Sequence, residues 1–213
     1  MKKIFLTLVL CSFAGAMFAQ GIKFGVTAGL NASSLNVKDA AAAGLDVGYK
    51  PGFQAGVVMD WGITPNFSVI PELNFSQKGA KMSMTVDVIK ADVTLTLNYL
   101  TLPINAAYKF DLGMDQKLMV FAGPYLGYGL STSTKIKSGG VTIDGETFGM
   151  NPKFGSNVDD IKPFDFGANI GVGYQYTNIF FKVQYNLGLV NMDREVGASE
   201  KNSNLAVTVG YMF

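Results

Sequence analysis

The sequence predicts an all-β protein, an eight-stranded antiparallel up-and-down transmembrane β-barrel with short periplasmic turns and long external loops. Three observations carry this expectation. First, segments of about ten residues alternate apolar with small or polar residues, the pattern of a strand with one face in lipid and the other in a lumen. Second, charged residues make up only 15% of the 213, against about 25% in ordinary globular domains, while aromatics reach 12% and 25 residues are glycine. Third, no apolar run after Gln20 is long enough for a membrane helix. A closed barrel is then the remaining way to pair every backbone group inside hydrocarbon.

The chain opens "MKKIFLTLVLCSFAGAMFAQ": two lysines, an apolar run, then small residues. That is the layout of a secretory signal peptide over residues 1–19, with a mature domain over 20–213. Cleavage is placed after Ala19, with Ala16 as the alternative because Met17 is large for its position. Cys11 also raises a lipoprotein acylation site, which the bulky Leu10 before it argues against. The only cysteine leaves with the signal, so no internal disulfide holds the mature fold. Lys+Arg number 17 and Asp+Glu 16; without Lys2 and Lys3 the counts are 15 and 16, a net charge of −1. A nucleic-acid partner would call for a basic excess, and there is none.

The strands follow in order. "IKFGVTAGLNA" sets Ile22, Phe24, Val26, Ala28 and Leu30 outward against Lys23, Gly25, Thr27, Gly29 and Asn31. "GFQAGVVMDWG" sets Phe53, Ala55, Val57, Met59 and Trp61 against Gln54, Gly56 and Asp60. "NFSVIPELNFSQ" sets Phe67, Val69, Leu73 and Phe75 against Ser68, Glu72, Asn74 and Ser76. "YLTLPINAAYKF" sets Leu100, Leu102, Ile104, Ala106, Tyr108 and Phe110 against Thr101, Asn105 and Lys109. "KLMVFAGPYLGYGL" turns Leu118, Val120, Ala122, Leu126, Tyr128 and Leu130 outward and Gly123, Tyr125, Gly127 and Gly129 inward. "FDFGANIGVGYQY" alternates most regularly, from Phe164 to Tyr176. "FFKVQYNLGLV" sets Phe181, Val183, Tyr185, Leu187 and Leu189 against Lys182, Gln184, Asn186 and Gly188. The eighth, "SNLAVTVGYMF", ends the chain on Phe213.

The links alternate long and short. Long ones are expected around Ser33–Lys50, Lys78–Ala91, Thr132–Lys162 and Asn191–Asn202, with short "GITPN", "DLGMDQ" and "TN" between them. Outer-membrane barrels alternate in this way, which puts both termini in the periplasm. A soluble barrel would also alternate, but its second face would meet water. Here that face is mostly Gly, Asn, Thr and Gln, which suits a narrow lumen better. Two features resist the pattern. Pro71, Pro103 and Pro124 fall within strands, where each removes a ladder donor; bulges, or positions beyond the hydrocarbon, are expected there. Val93, Leu95, Leu97 and Tyr99 are also out of phase with Leu100 onward, so the fourth strand is expected to shift phase near Tyr99.

"VIPELNFSQKGAK", "LNYLTLPINAAYKF", "FAGPYLGYGL" and "VQYNLGLVNM" resemble the recurrent strand motifs of the PorT-like outer-membrane β-barrel proteins. The matching positions are Pro71–Glu72, Ser76–Gly79, Tyr99–Pro103, Lys109–Phe110, Gly123–Tyr125 and Leu187–Leu189. The resemblance spans the mature chain. It implies an outer-membrane barrel and makes the three prolines family features. One member of that family is implicated in protein secretion.

The sequence contains no histidine, and its mature part no cysteine. That removes the commonest general bases, nucleophiles and transition-metal ligands, so no enzyme activity, cofactor or metal is expected. The acidic pairs Asp159–Asp160 and Asp144/Glu146 read as solvated loop residues. "SGGVTIDGETFG" reads as a loop hairpin rather than a phosphate loop. The candidate site is the lumen. Glu72, Asp60, Lys109 and Lys182 point inward, where charge is costly unless paired. Glu72 and Lys182 are expected to face each other across the lumen, with Lys109 and Asp60 near its periplasmic end. A plug is favoured over a gated pore, since eight strands leave little open interior. Tyr211 and Phe213 are expected to form the terminal signal read by the outer-membrane assembly machinery, or part of the periplasmic aromatic girdle. The expected function is a structural or interaction barrel acting through external loops, in contact with outer-membrane lipids and lipopolysaccharide. A narrow pore or secretion component is the alternative.

Overall fold

The computed structural model describes residues 21–37, 46–86, 89–138, 141–148, 152–155, 161–191 and 200–213. The expected signal segment, its cleavage site and the Asp159–Asp160 pair lie outside the described residues.

Among the described residues, nine strands form one antiparallel sheet: β1 (Ile22–Val37), β2 (Asp46–Gly62), β3 (Phe67–Val86), β4 (Ile89–Gly113), β5 (Gln116–Ser138), β6 (Val141–Asp144), β7 (Phe164–Tyr176), β8 (Ile179–Gly188) and β9 (Glu200–Met212). Each ring strand pairs with its neighbours in sequence order, and β1 pairs with both β2 and β9, so the sheet closes on itself. Eight strands make the ring. β6 pairs only with Lys135–Ser138 of β5 and forms a hairpin at the loop end, continued by a 3₁₀ turn over Gly145–Phe148. Glu146 donates its backbone N–H to Asp144 at 3.1 Å, so that acidic pair shapes this turn. No described helix is long and apolar enough to cross a membrane.

Burial runs opposite to that of a water-soluble protein. Leu73, Leu102, Ile104, Leu126, Ile170 and Val183 are exposed, while Glu72, Asn105, Lys182 and Gln184 are buried between them. The period-2 geometry of a strand does this: each apolar residue turns outward and its polar neighbour inward. Aromatic pairs stand at both ends of the outward belt. Tyr108 lies 4.9 Å from Phe110, and Tyr211 5.8 Å from Phe213, at the end that carries the termini. Tyr128 lies 5.3 Å from Phe164 toward the loop end. Ile22 departs from the expected alternation; it is buried, in register with Trp61.

Four further expectations change. The link around Lys78–Ala91 is not a long loop, because β3 runs to Val86 and β4 begins at Ile89. Polar residues such as Ser83 and Asp92 pair across this hairpin, which keeps its backbone satisfied beyond the apolar belt. Asn202 likewise belongs to β9 rather than to a loop.

The prolines sit neither at bulges nor beyond the belt. Pro71 keeps its pairing with Ile104 on β4, while the β2–β3 ladder skips from Val58–Glu72 to Trp61–Val69. Pro103 keeps Tyr125 on β5, and Pro124 keeps Ala168 on β7; each has a gap toward the preceding strand. In an antiparallel strand a residue's N–H and C=O serve the same neighbour. A missing donor therefore weakens one ladder only, and intact pairs on both sides of the gap hold the register.

β4 does not change phase. Leu95, Leu97 and Tyr99 are buried, and so are Thr101, Asn105 and Lys109 at the following odd positions. The register shift opposite Asn98 and Tyr99 falls on β5, between Gly129 and Ser131. The apolar residues stay on the inner face and fill the lumen near the loop end.

Candidate functional site

The lumen is layered. At the termini end Lys109 of β4 is paired with Asp60 of β2. A polar mouth of about 130 Å³ opens beside them, lined also by Lys23, Ser68, Lys117 and Gln175. One layer further in, Lys182 of β8 reaches Glu72 of β3, both almost fully buried. Asn74 donates to the second carboxylate oxygen of Glu72 at 3.0 Å, and the Phe121 ring lies 5.8 Å from the Lys182 ammonium. Apolar inward side chains pack around this pair: Val58, Ile70, Ala107, Met119, Phe121, Phe180 and Met212. They leave a small cavity of about 20 Å³, which is roughly the space of one water.

The aromatic rings fit because the neighbouring strand carries glycine. A Cβ on Gly171 would lie 2.4 Å from the Phe121 ring, and one on Gly210 2.1 Å from the Phe180 ring.

The next layer is amide-rich. Register sets Asn169, Asn186 and Asn204 side by side on β7, β8 and β9, with Ser33 of β1 beside Asn204. Thr27 donates to Asn74 at 3.1 Å, Gln54 to Thr208 at 2.7 Å, and Asn169 to Asn105 at 3.3 Å.

Above it stands a second charge pair that spans the lumen. Lys78 of β3 is 3.1 Å from Asp165 of β7, and both are buried. Tyr125 donates to Asp165 at 3.2 Å and Asn202 donates to it at 3.0 Å. The Lys78 ammonium lies 4.6 Å from the Tyr125 ring centre and 5.3 Å from that of Tyr99. The apolar group of Leu35, Ala80, Leu95, Leu97 and Tyr99 closes the lumen on the loop side.

Of the four sequence-selected lumen residues, the structure joins Glu72 to Lys182 and Asp60 to Lys109. The Lys78–Asp165 pair was missed. Lys78 continues the inward series Glu72, Asn74 and Ser76 but falls within the link expected around Lys78–Ala91, and Asp165 lies at the start of β7. Tyr211 and Phe213 face outward at the termini end, and the Phe213 backbone N–H donates to the Phe24 carbonyl at 2.7 Å. Among the described residues, no three His, Cys, Asp or Glu side chains converge as a metal site would require.

A closed up-and-down ring, apolar outside and polar inside, defines a β-barrel of the membrane-spanning class. The chain belongs to the outer membrane protein beta-barrel domain family, whose family model matches residues 18–194. Solved structures similar to it include three at 14% sequence identity each. The attachment invasion locus protein Ail of Yersinia pestis, in complex with the heparin analogue sucrose octasulfate, covers 90% of this chain and 99% of its own, with a TM-score of 0.44. Neisserial surface protein A covers 89% and 97%, with a TM-score of 0.45. OprG of Pseudomonas aeruginosa covers 90% and 95%, with a TM-score of 0.45. No curated protein sequence matches the chain.

Proposed function

We propose that this protein is a sealed structural or interaction barrel of the outer membrane. In this reading both termini lie in the periplasm and contacts are made through the external loops. The observation that carries it is the pair of buried ionic struts, Lys182–Glu72 and Lys78–Asp165, which cross the lumen at two levels. Opening a path would strand at least one charge in a low-dielectric interior, which costs several kcal/mol per ion. The outward belt contacts membrane lipids and, on the outer leaflet, lipopolysaccharide. The terminal Tyr211 and Phe213 are offered to the assembly machinery. The finer placement among PorT-like barrels rests on the strand motifs quoted above. With no histidine in the chain, a non-enzymatic role fits best.

The alternative, a narrow pore or secretion component, predicts ion flow. Planar-bilayer recording of the refolded mature protein separates the two. The sealed barrel gives no unitary steps, and regular steps from the wild-type protein would overturn it. Orientation is tested with an impermeant thiol reagent on intact cells: Glu146→Cys should label and Thr64→Cys should not.

A further inference from the structure

On the lipid-facing side the apolar belt is notched along β1 and β9. Outward from the termini end, β9 carries Tyr211, Val209, Val207 and Leu205, all exposed, and then Ser203 and Lys201. β1 carries Val26 and Leu30 outward and then Ser34. Register sets Ser34 beside Ser203, and Ser203 beside Leu187 of β8. On the other side stands Tyr49 of β2, one residue past the Ser33–Lys50 pair. Large side chains therefore flank a row of two serines. The result is a trough of about 350 Å³, lined also by Tyr185 and Lys201.

The trough offers donors, and none of its lining residues carries a carboxylate. Ser203 gives its hydroxyl to the Ser34 carbonyl at 3.3 Å. The Ser34 hydroxyl, the Tyr49 and Tyr185 phenols and the Lys201 ammonium have no partner among the described residues. Its height is set by β9. Ser203 lies eight residues beyond Tyr211. At about 3.3 Å per residue along a tilted strand, that brings it near the far edge of an apolar band about 25 Å tall.

We propose that this trough is the headgroup site for a phosphorylated lipid of the outer leaflet, the acylated end of a lipopolysaccharide. The groups present select that ligand. A phosphate oxygen accepts charge-assisted hydrogen bonds from Lys201 and takes the Ser34 hydroxyl beside it. Tyr49 and Tyr185 suit the headgroup level, since each joins an apolar ring to a polar tip. Below the serines the acyl chains descend over Leu205, Val207 and Leu30, all exposed. A free anion would use only the upper half of this surface. The inference rests on the outer-membrane reading above, with the loops external.

The test uses the mature protein refolded in zwitterionic detergent, with diphosphoryl lipid A as the probe and native mass spectrometry as the readout. The wild-type protein should retain the lipid, and lipid A stripped of its phosphates should be retained several-fold less. Lys201→Glu should lower retention about ten-fold, the worth of one hydrogen bond to a charged group. Lys137→Glu, exposed on β5 in the opposite wall, should leave it unchanged. Equal retention by the Lys201 variant, or of the stripped lipid, would overturn the proposal. So would displacement by excess inorganic phosphate, which marks a free-anion site, or a doubled mass in place of the lipid, which marks a second copy of the chain. Should Lys201→Glu fail to fold, Ser203→Leu fills the trough with the lysine intact; it should lower retention several-fold, and no change counts against the site. Failure here leaves the conductance and thiol-labelling results standing. An inverted barrel would instead label at Thr64→Cys while still retaining the lipid in detergent.

Discussion

Across β7, β8, β9 and β1 the backbone ladder is continuous: β1 and β9 pair without a break from Gly25–Met212 to Val37–Glu200, and β7 and β8 from Gly167–Gly188 to Tyr176–Ile179. From β2 to β5 the ladder is interrupted, with gaps at Pro71, Pro103 and Pro124 and register shifts beside Tyr49 and Tyr99. The regular side carries glycine, alanine and asparagine inward, among them Gly171, Ala206, Asn169, Asn186 and Asn204. The interrupted side supplies Glu72 and Lys78, which reach across to Lys182 and Asp165 on the regular side. Where backbone pairing is weakest, side-chain struts tie the wall to its stronger half.

Cutting a strut should have the largest effect. Glu72→Leu leaves Lys182 buried without a counter-charge, a loss of about 3–5 kcal/mol. Urea titration of the protein folded in lipid vesicles would read it. Adding Lys182→Met should recover most of that loss; a single variant costing less than about 1 kcal/mol would leave the halves untied by this pair. Next comes the outer face of the regular half. Val172→Arg should cost about 2–4 kcal/mol, whereas Gln175→Arg, beside the polar mouth, should be tolerated. Equal behaviour in the same titration would remove the inner and outer assignment of β7.

Phe213→Ala tests the seam where β9 meets β1. Losing one girdle contact should cost about 1–2 kcal/mol and leave refolding in detergent intact. In cells the amount in the outer membrane should fall, if the residue is also read during assembly. The smallest change is expected at Pro103→Ala. A regained donor contributes about 0.5–1.5 kcal/mol, offset by about 0.4–1 kcal/mol of unfolded-state entropy. The net should stay within about 1 kcal/mol. Hydrogen exchange would still separate the halves, with amides flanking the β3–β4 gap exchanging faster than those of β8 paired to β9.

Alternation made the wall legible in the sequence, because one face must suit hydrocarbon and the other a crowded interior. Glu72 and Lys182 could be selected because a charge at an inward position needs a partner. Lys78 escaped because Gly79 and the lysines around it resemble a loop, although period-2 spacing from Glu72 places it inward. The prolines misled for a related reason. A proline argues against a strand only if both of its ladders depend on its N–H, and in antiparallel pairing only one does. The Leu95–Tyr99 stretch was misjudged because apolar was equated with outward; near the loop end the interior itself is apolar.

The seating of Phe121 against Gly171, and of Phe180 against Gly210, has a practical side. The strands are joined by backbone, while Phe121 and Phe180 narrow the termini-side half beside the Lys182–Glu72 strut with rings resting on bare main chain. Such a bore can be machined. Trimming both rings to alanine asks nothing of the strand register and clears two stops from the termini-side half of the passage. Enlarging either glycine first would wedge a ring against the wall. Anyone shaping this scaffold into a nanopore should remove the stopper before touching its seat.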